Sequence, residues 1–282
     1  NQGTTAKLSN GIFVNSSGGE LNLNAGAKNI IFNDRITGAG QNFNTFTISI
    51  NKTGTWDDTE SPFAPDGNKI PVWAPTTGTI ELNEDMSGYV GNVYIYGGTV
   101  KLGEDRTNVY SASVTPKFFA ANNLNLYGGT IDLRNKKIDN VTITNFNGAD
   151  VSGTALGNLM IDADLSAGTA DNFTVSGTAA GYLNISGVNI LTDGSASSIT
   201  VFNNGNSPVL NGLTTYTNNK KYIFTPDSTI AGVLNINTST ESGSGVIGFD
   251  GLKEALADTS SMRSFSLTEN YISSANLGAM QG

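Results

Sequence analysis

Short runs of alternating apolar and polar residues follow one another along most of the chain, and one run recurs. This run is five residues long and occurs at 78–82, 98–102 and 129–133. Each copy reads glycine, threonine, an aliphatic residue, a charged residue and leucine. A period of two is typical of a strand with one buried face. The copies begin 20 and then 31 residues apart, spacings that suit one solenoid coil and one coil carrying an insertion. The pattern therefore predicts a parallel β-solenoid.

Aligning the copies places their outward residues in one column that reads Glu81, Lys101, Asp132. Neighbouring coils lie about 4.8 Å apart, so this order alternates attracting charges. The apolar residues form two predicted inward columns, which are Ile80, Val100 and Ile131 in one and Leu82, Leu102 and Leu133 in the other.

The second and third copies also match in the residues that precede them. Residues 93–97 align with 124–128, so that Tyr96 and Tyr127 each stand just before a Gly-Gly pair. Alternation predicts that both rings point outward. They become stacked neighbours if the residues between the copies add no coil.

Two segments break the alternation and are predicted to leave the coils as insertions. The first, at about 51–77, holds four of the seven prolines and both tryptophans, Trp56 and Trp73. Proline cannot donate to a strand ladder, so this segment is predicted to be a loop. The second, at about 103–121, carries three adjacent charges at 104–106, expected to be solvated, and aromatic residues expected to pack back onto the coils. The solenoid is predicted to span 1–250, and 251–282 a short helix with a cap or linker.

Composition favours an ordered all-β protein over a helical or disordered one. Of 282 residues, 38% are hydrophobic and only 14% are charged. The net charge of −9 disfavours nucleic acid as a partner. The chain contains no cysteine, which suits bacterial export, and no apolar run long enough for a membrane-spanning helix. It begins at Asn1 without methionine or signal peptide, so we expect a mature or excised piece.

Little catalytic chemistry is available to this sequence. Histidine is absent, which removes histidine-based triads and the usual zinc sites. No metal, cofactor or catalytic residue is predicted. Asp57, Asp58 and Glu60 are interpreted as solvated loop charges. Asp162 and Asp164 share one strand face and are interpreted as an outward strand edge.

The Gly-Gly-Thr-[Ile/Val]-x-Leu phrase, the stretch Ile30–Ile36 and the Asn/Gly/Thr-rich coils resemble the passenger region of bacterial autotransporters and related outer-membrane adhesins. The resemblance covers residues 10 to about 250. It implies a right-handed parallel β-helix, secreted or displayed at the bacterial outer-membrane surface. No translocator barrel follows in this sequence, and the motif series of the polymorphic surface proteins is not found.

These observations favour a non-enzymatic adhesin or structural stalk. Its expected partner is a cell-surface glycan or protein, and self-association is a further candidate. The alternative is a polysaccharide lyase or hydrolase, because parallel β-helices also carry such enzymes. Aromatic residues of the first insertion and of the aligned strands either bind a ligand or only pack on the coils. The candidate binding residues are Trp56, Trp73, Tyr94, Tyr96 and Tyr127.

Overall fold

A computed structural model describes residues 5–8, 11–14, 18–38, 46–52, 77–107, 113–151, 153–203, 205–217 and 220–240. These residues form strands, turns and bends without a helix. A membrane-spanning helix is therefore not found within these ranges. The helix predicted after residue 250 lies outside them.

The strands are short and occur throughout the described ranges. The first nine are β1 (Thr5–Leu8), β2 (Ile12–Val14), β3 (Glu20–Leu23), β4 (Asn29–Phe32), β5 (Ile36–Gly38), β6 (Thr47–Ile50), β7 (Thr79–Leu82), β8 (Asn92–Ile95) and β9 (Thr99–Leu102). The next nine are β10 (Arg106–Thr107), β11 (Ser113–Val114), β12 (Asn123–Leu126), β13 (Gly129–Asp132), β14 (Asn140–Ile143), β15 (Asn145–Gly148), β16 (Asp150–Val151), β17 (Thr154–Ala155) and β18 (Gly157–Asp164). The last nine are β19 (Thr169–Ala170), β20 (Asn172–Val175), β21 (Ala179–Thr192), β22 (Ser198–Thr200), β23 (Phe202–Asn203), β24 (Val209–Asn211), β25 (Leu213–Thr217), β26 (Lys220–Pro226) and β27 (Val233–Thr240).

Three parallel arrays organise these strands. Sheet 1 contains β1, β4, β7, β9, β13, β18, β21 and β24. Sheet 2 contains β3, β6, β8, β12, β15 and the start of β21. Sheet 3 contains β14, β20 and β23. Because β21 begins in sheet 2 and continues into sheet 1, these two arrays form one large curled sheet.

The chain visits the arrays in a repeating order. It passes from sheet 2 through sheet 1 to sheet 3 and back, as in β12, β13, β14 and β15. Each circuit lays its strands parallel to those of the previous one, so the prediction of an all-β fold built on parallel strands is confirmed. This arrangement is compatible with a β-solenoid.

The predicted stacking of the three repeated phrases is confirmed. Strands β7, β9 and β13 are direct neighbours, with Ile80 beside Val100 and Val100 beside Ile131. All three side chains are fully buried, as are the three leucines of the second column. The charged residues also align, but Lys101 makes no ion pair with Glu81 or Asp132 within the described ranges. Asp132 pairs instead with Arg134, at 2.8 Å between Nε and Oδ1.

Glycine is needed where sheet 2 turns into sheet 1. Gly98 and Gly129 have φ angles of 66° and 74°, which L side chains rarely adopt. A Cβ on Gly129 would lie 2.6 Å from the Gly98 carbonyl oxygen, since corners of adjacent coils touch there. The repeated Gly-Gly pair is therefore a packing requirement as well as a turn signal.

Asn51 occupies the same corner and was not recognised from the sequence. It has a φ of 54° and is buried, although the first insertion was predicted to begin here. Its Oδ1 accepts a 2.8 Å bond from Ala25 N–H, and its Nδ2 donates to the Gly97 carbonyl at 2.9 Å. Its amide thus fastens neighbouring coils together, and Asn51 belongs to the coils. Residues 53–76 of the insertion lie outside the described ranges.

Asparagine side chains connect successive coils. Asn123 Nδ2 donates to Asn92 Oδ1 at 2.8 Å, and Asn145 Nδ2 donates to Asn123 Oδ1 at 2.9 Å. Similar bonds join Asn211 to Asn184 in sheet 1 and Asn203 to Asn172 in sheet 3. Each bond satisfies polar groups while holding two coils in register.

The second insertion is anchored to the coils by aromatic packing and by ion pairs. Phe118 and Phe119 are buried, which confirms the predicted packing, and the ring of Phe119 lies 5.7 Å from that of Tyr89. The three charges expected to be solvated all have partners. Lys136 pairs with Glu104, Lys137 with Asp105 and Arg106 with Glu84.

After β24 the parallel order ends, although the solenoid was predicted to span residues 1–250. Strand β27 is antiparallel to β22. The chain reverses before β27 in a turn organised by Asp227, whose Oδ1 accepts the N–H groups of Thr229 and Ile230 at 2.7 and 2.8 Å. These hydrogen bonds hold the pKa of Asp227 well below its usual range.

The chain divides into two compact units. The first comprises Asn1–Thr215 and Ile223–Asn237, and it contains every strand pairing named above. The second comprises Tyr216–Tyr222 and Thr238–Gly282. Within the second, the ammonium of Lys221 lies 5.7 Å from the ring centre of Tyr216.

Candidate functional site

Three of the five predicted binding residues lie together on the outer side of sheet 2. Tyr94 belongs to β8, Tyr96 follows β8, and Tyr127 follows β12. We call these three residues the tyrosine cluster. Trp56 and Trp73 lie outside the described residues, so their part of the prediction is untested.

Strand register brings the cluster together. Val93 lies beside Leu124 and Ile95 beside Leu126, which makes Tyr96 and Tyr127 neighbours one residue further on. Their rings are stacked, with centroids 4.8 Å apart and planes 9° from parallel. The predicted stack is confirmed, because the second insertion leaves and returns without adding a coil between β8 and β12.

Tyr94 completes the cluster in an edge-on arrangement. Its ring centroid lies 5.8 Å from that of Tyr127 and 6.5 Å from that of Tyr96, with interplanar angles of 77° and 69°. Edge-to-face and offset-stacked rings are both favourable because the electron-rich face of one ring meets the electron-poor edge of another. The three rings therefore form a rigid group.

The rings are less accessible than the sequence indicated. Tyr96 is only 7% exposed, and Tyr94 and Tyr127 are half-buried. Although alternation predicted that both rings point outward, the ring of Tyr96 is covered by its neighbours. Burial raises the pKa of Tyr127 to about 12 and also raises that of Tyr94 and Tyr96. All three phenols are neutral at physiological pH.

A polar group that sequence reasoning missed lies beside the cluster. The Lys52 ammonium is 5.9 Å from the Tyr96 ring centre and 3.0 Å from Glu20 Oε1. The fully buried Ser49 hydroxyl donates to the same Glu20 oxygen. The bond from Ser49, with help from Lys52, holds the pKa of Glu20 below its usual range.

The sequence shows that these residues lie in or near strands, but it does not show which strands are adjacent. Ser49 and Tyr94 are directly paired on adjacent strands, and Glu20 lies beside Thr47 one strand further on. The first insertion separates β6 from the next coil, so the repeat spacing does not reveal this pairing. Only the register of β3, β6 and β8 places a cation and a carboxylate next to the rings.

A second cluster, of carboxylates, lies where sheet 1 turns into sheet 3. Asp162 is fully buried, which corrects its interpretation as an outward edge residue. Its Oδ2 accepts the N–H groups of Asn135 and Lys136 at 2.8 and 2.7 Å, and its Oδ1 accepts from Asn189 Nδ2 at 2.5 Å. One carboxylate therefore connects the coil before it with the coil after it.

Asp171 makes a similar connection. It is fully buried, and it accepts the Asp139 N–H at 2.7 Å on Oδ1 and the Asp162 N–H at 2.7 Å on Oδ2. Burial raises the pKa of Asp171 to about 8 and also raises that of Asp139. With both oxygens of Asp171 turned to main-chain donors inside the protein, the geometry is that of a structural cross-link. Across the described ranges, no group of acidic side chains has an arrangement that would hold a metal ion.

A double-mutant cycle on Tyr96→Ala and Tyr127→Ala is expected to show coupling of about 0.5–1.5 kcal/mol in the free energy of unfolding. The stacked rings lose the same contact whichever partner is removed, so the double variant loses less than the sum of the single variants. Chemical denaturation of the four proteins measures this. Additive losses would contradict the stacking.

Two comparisons with known proteins give no match to this chain. One is a scan against protein-family models, and the other is a search of the curated proteins. Membership of the autotransporter passengers therefore stays a hypothesis based on resemblance.

Proposed function

We propose that the protein is a right-handed parallel β-helix of the bacterial cell-surface or secreted type, acting without catalysis as an adhesin or structural stalk. The three-array circuit and the parallel register of successive coils support the β-helical part of this proposal. Main-chain ladders, asparagine ladders and buried carboxylates all join neighbouring coils. Such a scaffold holds outward side chains at fixed spacing, as a binding surface requires.

The tyrosine cluster is the observation that carries the adhesin proposal. Its rings pack against one another, and Tyr94 and Tyr127 are half-buried, so part of each side chain is exposed at the surface. Tyrosine suits recognition because it combines apolar area with a hydrogen-bonding tip and has few rotatable bonds. The Lys52–Glu20 pair adds a donor and an acceptor alongside.

A glycan fits this surface better than an ionic ligand does. Sugar C–H groups pack on aromatic rings, and sugar hydroxyls exchange hydrogen bonds with phenols, ammonium and carboxylate groups. Since the charge of Lys52 is balanced by Glu20, and the chain as a whole carries a net charge of −9, an uncharged glycan is expected.

The test is retention of the purified protein on an array of neutral and acidic glycans and on cultured cells. We expect retention on neutral glycans, and an affinity about tenfold weaker for Tyr94→Ala and Tyr127→Ala. Phe13→Ala is the control, because Phe13 is 63% exposed on β2 and lies outside the cluster. Thermal melts of each variant confirm folding.

Three outcomes would overturn parts of this proposal. Absence of retention on both glycans and cells removes the adhesin function. Equal retention by wild type and the tyrosine variants removes the cluster as the site. Release of shortened oligosaccharides from bound polysaccharide would favour the lyase or hydrolase alternative.

A further inference from the structure

We propose that Tyr96 and Tyr127 form a site of oxidative modification, at which a dityrosine bond joins two adjacent coils. This goes beyond the proposed function and does not depend on it. It rests on the packing of two phenol rings that belong to neighbouring strands of sheet 2.

The two rings are held side by side by the main chain. Tyr96 N–H donates to the Ile50 carbonyl at 3.0 Å, and Tyr127 N–H donates to the Ile95 carbonyl at 2.8 Å. Both backbones are thus fixed in the sheet directly before the glycine corner. The ring centroids are 4.8 Å apart, so two phenoxyl radicals formed here are direct neighbours, and rotation of the rings about their side-chain bonds brings one ortho carbon of each into bonding distance.

Access for an oxidant differs between the rings. Tyr127 and Tyr94 are half-buried, whereas Tyr96 is 7% exposed. An oxidant therefore removes an electron first from Tyr127 or Tyr94. Ring contacts of 4.8 and 6.5 Å then allow Tyr96 to be oxidised by its neighbours without direct contact with the oxidant.

The reaction balances with hydrogen peroxide as oxidant and a haem peroxidase as catalyst. Each phenol gives up one electron and one proton, and the two phenoxyl radicals form one carbon–carbon bond between ortho positions. The hydrogen on each joined carbon then moves to its phenol oxygen, which restores both aromatic rings. The peroxide takes up the two electrons and two protons and becomes two molecules of water.

Among the residues that the structure describes, the pairing of Tyr89 does not offer this chemistry. Tyr89 has Phe119 as its edge-on neighbour at 5.7 Å, and phenylalanine forms no phenoxyl radical. Tyr94 lies farther from both partners, with ring centroids 5.8 Å from Tyr127 and 6.5 Å from Tyr96. The stacked pair is therefore the expected main site.

The experiment treats the full chain, at high dilution, with the peroxidase and hydrogen peroxide. Dityrosine fluorescence, intact mass and peptide mapping then report the product. We expect a monomer that has lost two hydrogen atoms, with the peptides of Tyr96 and Tyr127 joined. Oxidised wild type is also expected to unfold at higher denaturant concentration than unoxidised protein, since the link restrains the unfolded chain.

Phenylalanine variants provide matched controls because they keep the ring packing. Tyr96→Phe and Tyr127→Phe should each reduce the intrachain product at least tenfold, whereas Tyr94→Phe should still give it. Circular dichroism shows that each variant folds. The proposal is overturned if Tyr96→Phe retains the intrachain link, if only linked dimers form, or if wild type yields no dityrosine.

Discussion

Replacing Phe173 by alanine is expected to lower the free energy of unfolding by about 3–5 kcal/mol. Phe173 is fully buried between sheets 2 and 3. Its ring lies 5.2 Å from that of Phe202 and 5.9 Å from that of Phe146. Truncation leaves a cavity beside Phe146 and Phe202, which lie on different strands, and coils held by main-chain ladders cannot collapse to fill it. Urea denaturation followed by circular dichroism measures the loss.

Phe13→Ala is the matched control for this substitution. The same atoms are removed from a side chain that is 63% exposed, so the change in unfolding free energy should stay within about 0.5 kcal/mol. If the two variants lose similar free energy, the three phenylalanines do not form the tightly packed core that the structure shows.

The stability of the protein is expected to contain a large pH-dependent contribution from Asp171. Because burial raises the pKa of Asp171 to about 8, the folded state keeps a proton that the unfolded chain releases near pH 4. The folded state therefore binds more protons throughout this interval. Because proton binding is linked to folding, the contribution of Asp171 to the free energy of unfolding falls by about 1.4 kcal/mol per pH unit as the pH rises from about 4 to about 8.

The surroundings of Asp171 explain why ionisation is unfavourable. Its carboxylate is fully buried, and the negative charges of Asp162 and Asp139 lie close to it. The two main-chain N–H groups that it accepts oppose this effect but do not outweigh burial. Asp139, whose pKa is also raised by burial, changes stability in the same direction.

The measurement compares wild type with Asp171→Asn by thermal and urea unfolding from pH 4 to pH 9. The variant loses stability at pH 4, because its amide NH₂ faces a main-chain donor. Its stability should then fall less steeply with pH than that of wild type. Asp193→Asn, at an exposed position after β21, should keep the wild-type slope. Parallel curves for wild type and Asp171→Asn would show that Asp171 does not titrate as described.

The sequence alone was sufficient to predict which side chains point inward along the repeated strands. Alternation with a period of two is a local property, so Ile80, Val100 and Leu102 could be assigned to the core from their own neighbours. The Gly-Gly corners added the register between copies, and with it the stacking of Tyr96 on Tyr127. The inward positions needed only neighbouring residues, whereas the stacking also needed the alignment of two copies and the condition that the residues between them add no coil.

Tertiary structure decided what lies over and between the coils. Asp162 alternates like an outward residue but is buried, because the turn at Asn135 and Lys136 folds over it and donates two hydrogen bonds. Asn51 was predicted to begin a loop, yet its amide binds Ala25 and Gly97, which are separated from it by 26 and 46 positions in the sequence. Such contacts depend on which coil lies beside which.

The site shows the same division between local pattern and long-range contact. Its tyrosines could be named from aligned strands, whereas their burial and the nearby Lys52, Glu20 and Ser49 could not. Insertions of unequal length separate these strands, so sequence spacing carries no record of their adjacency. A ladder between parallel strands forms only when the chain returns after a full circuit. The partners of an outward residue are therefore set by the stacking of coils, while its direction is set by the strand itself.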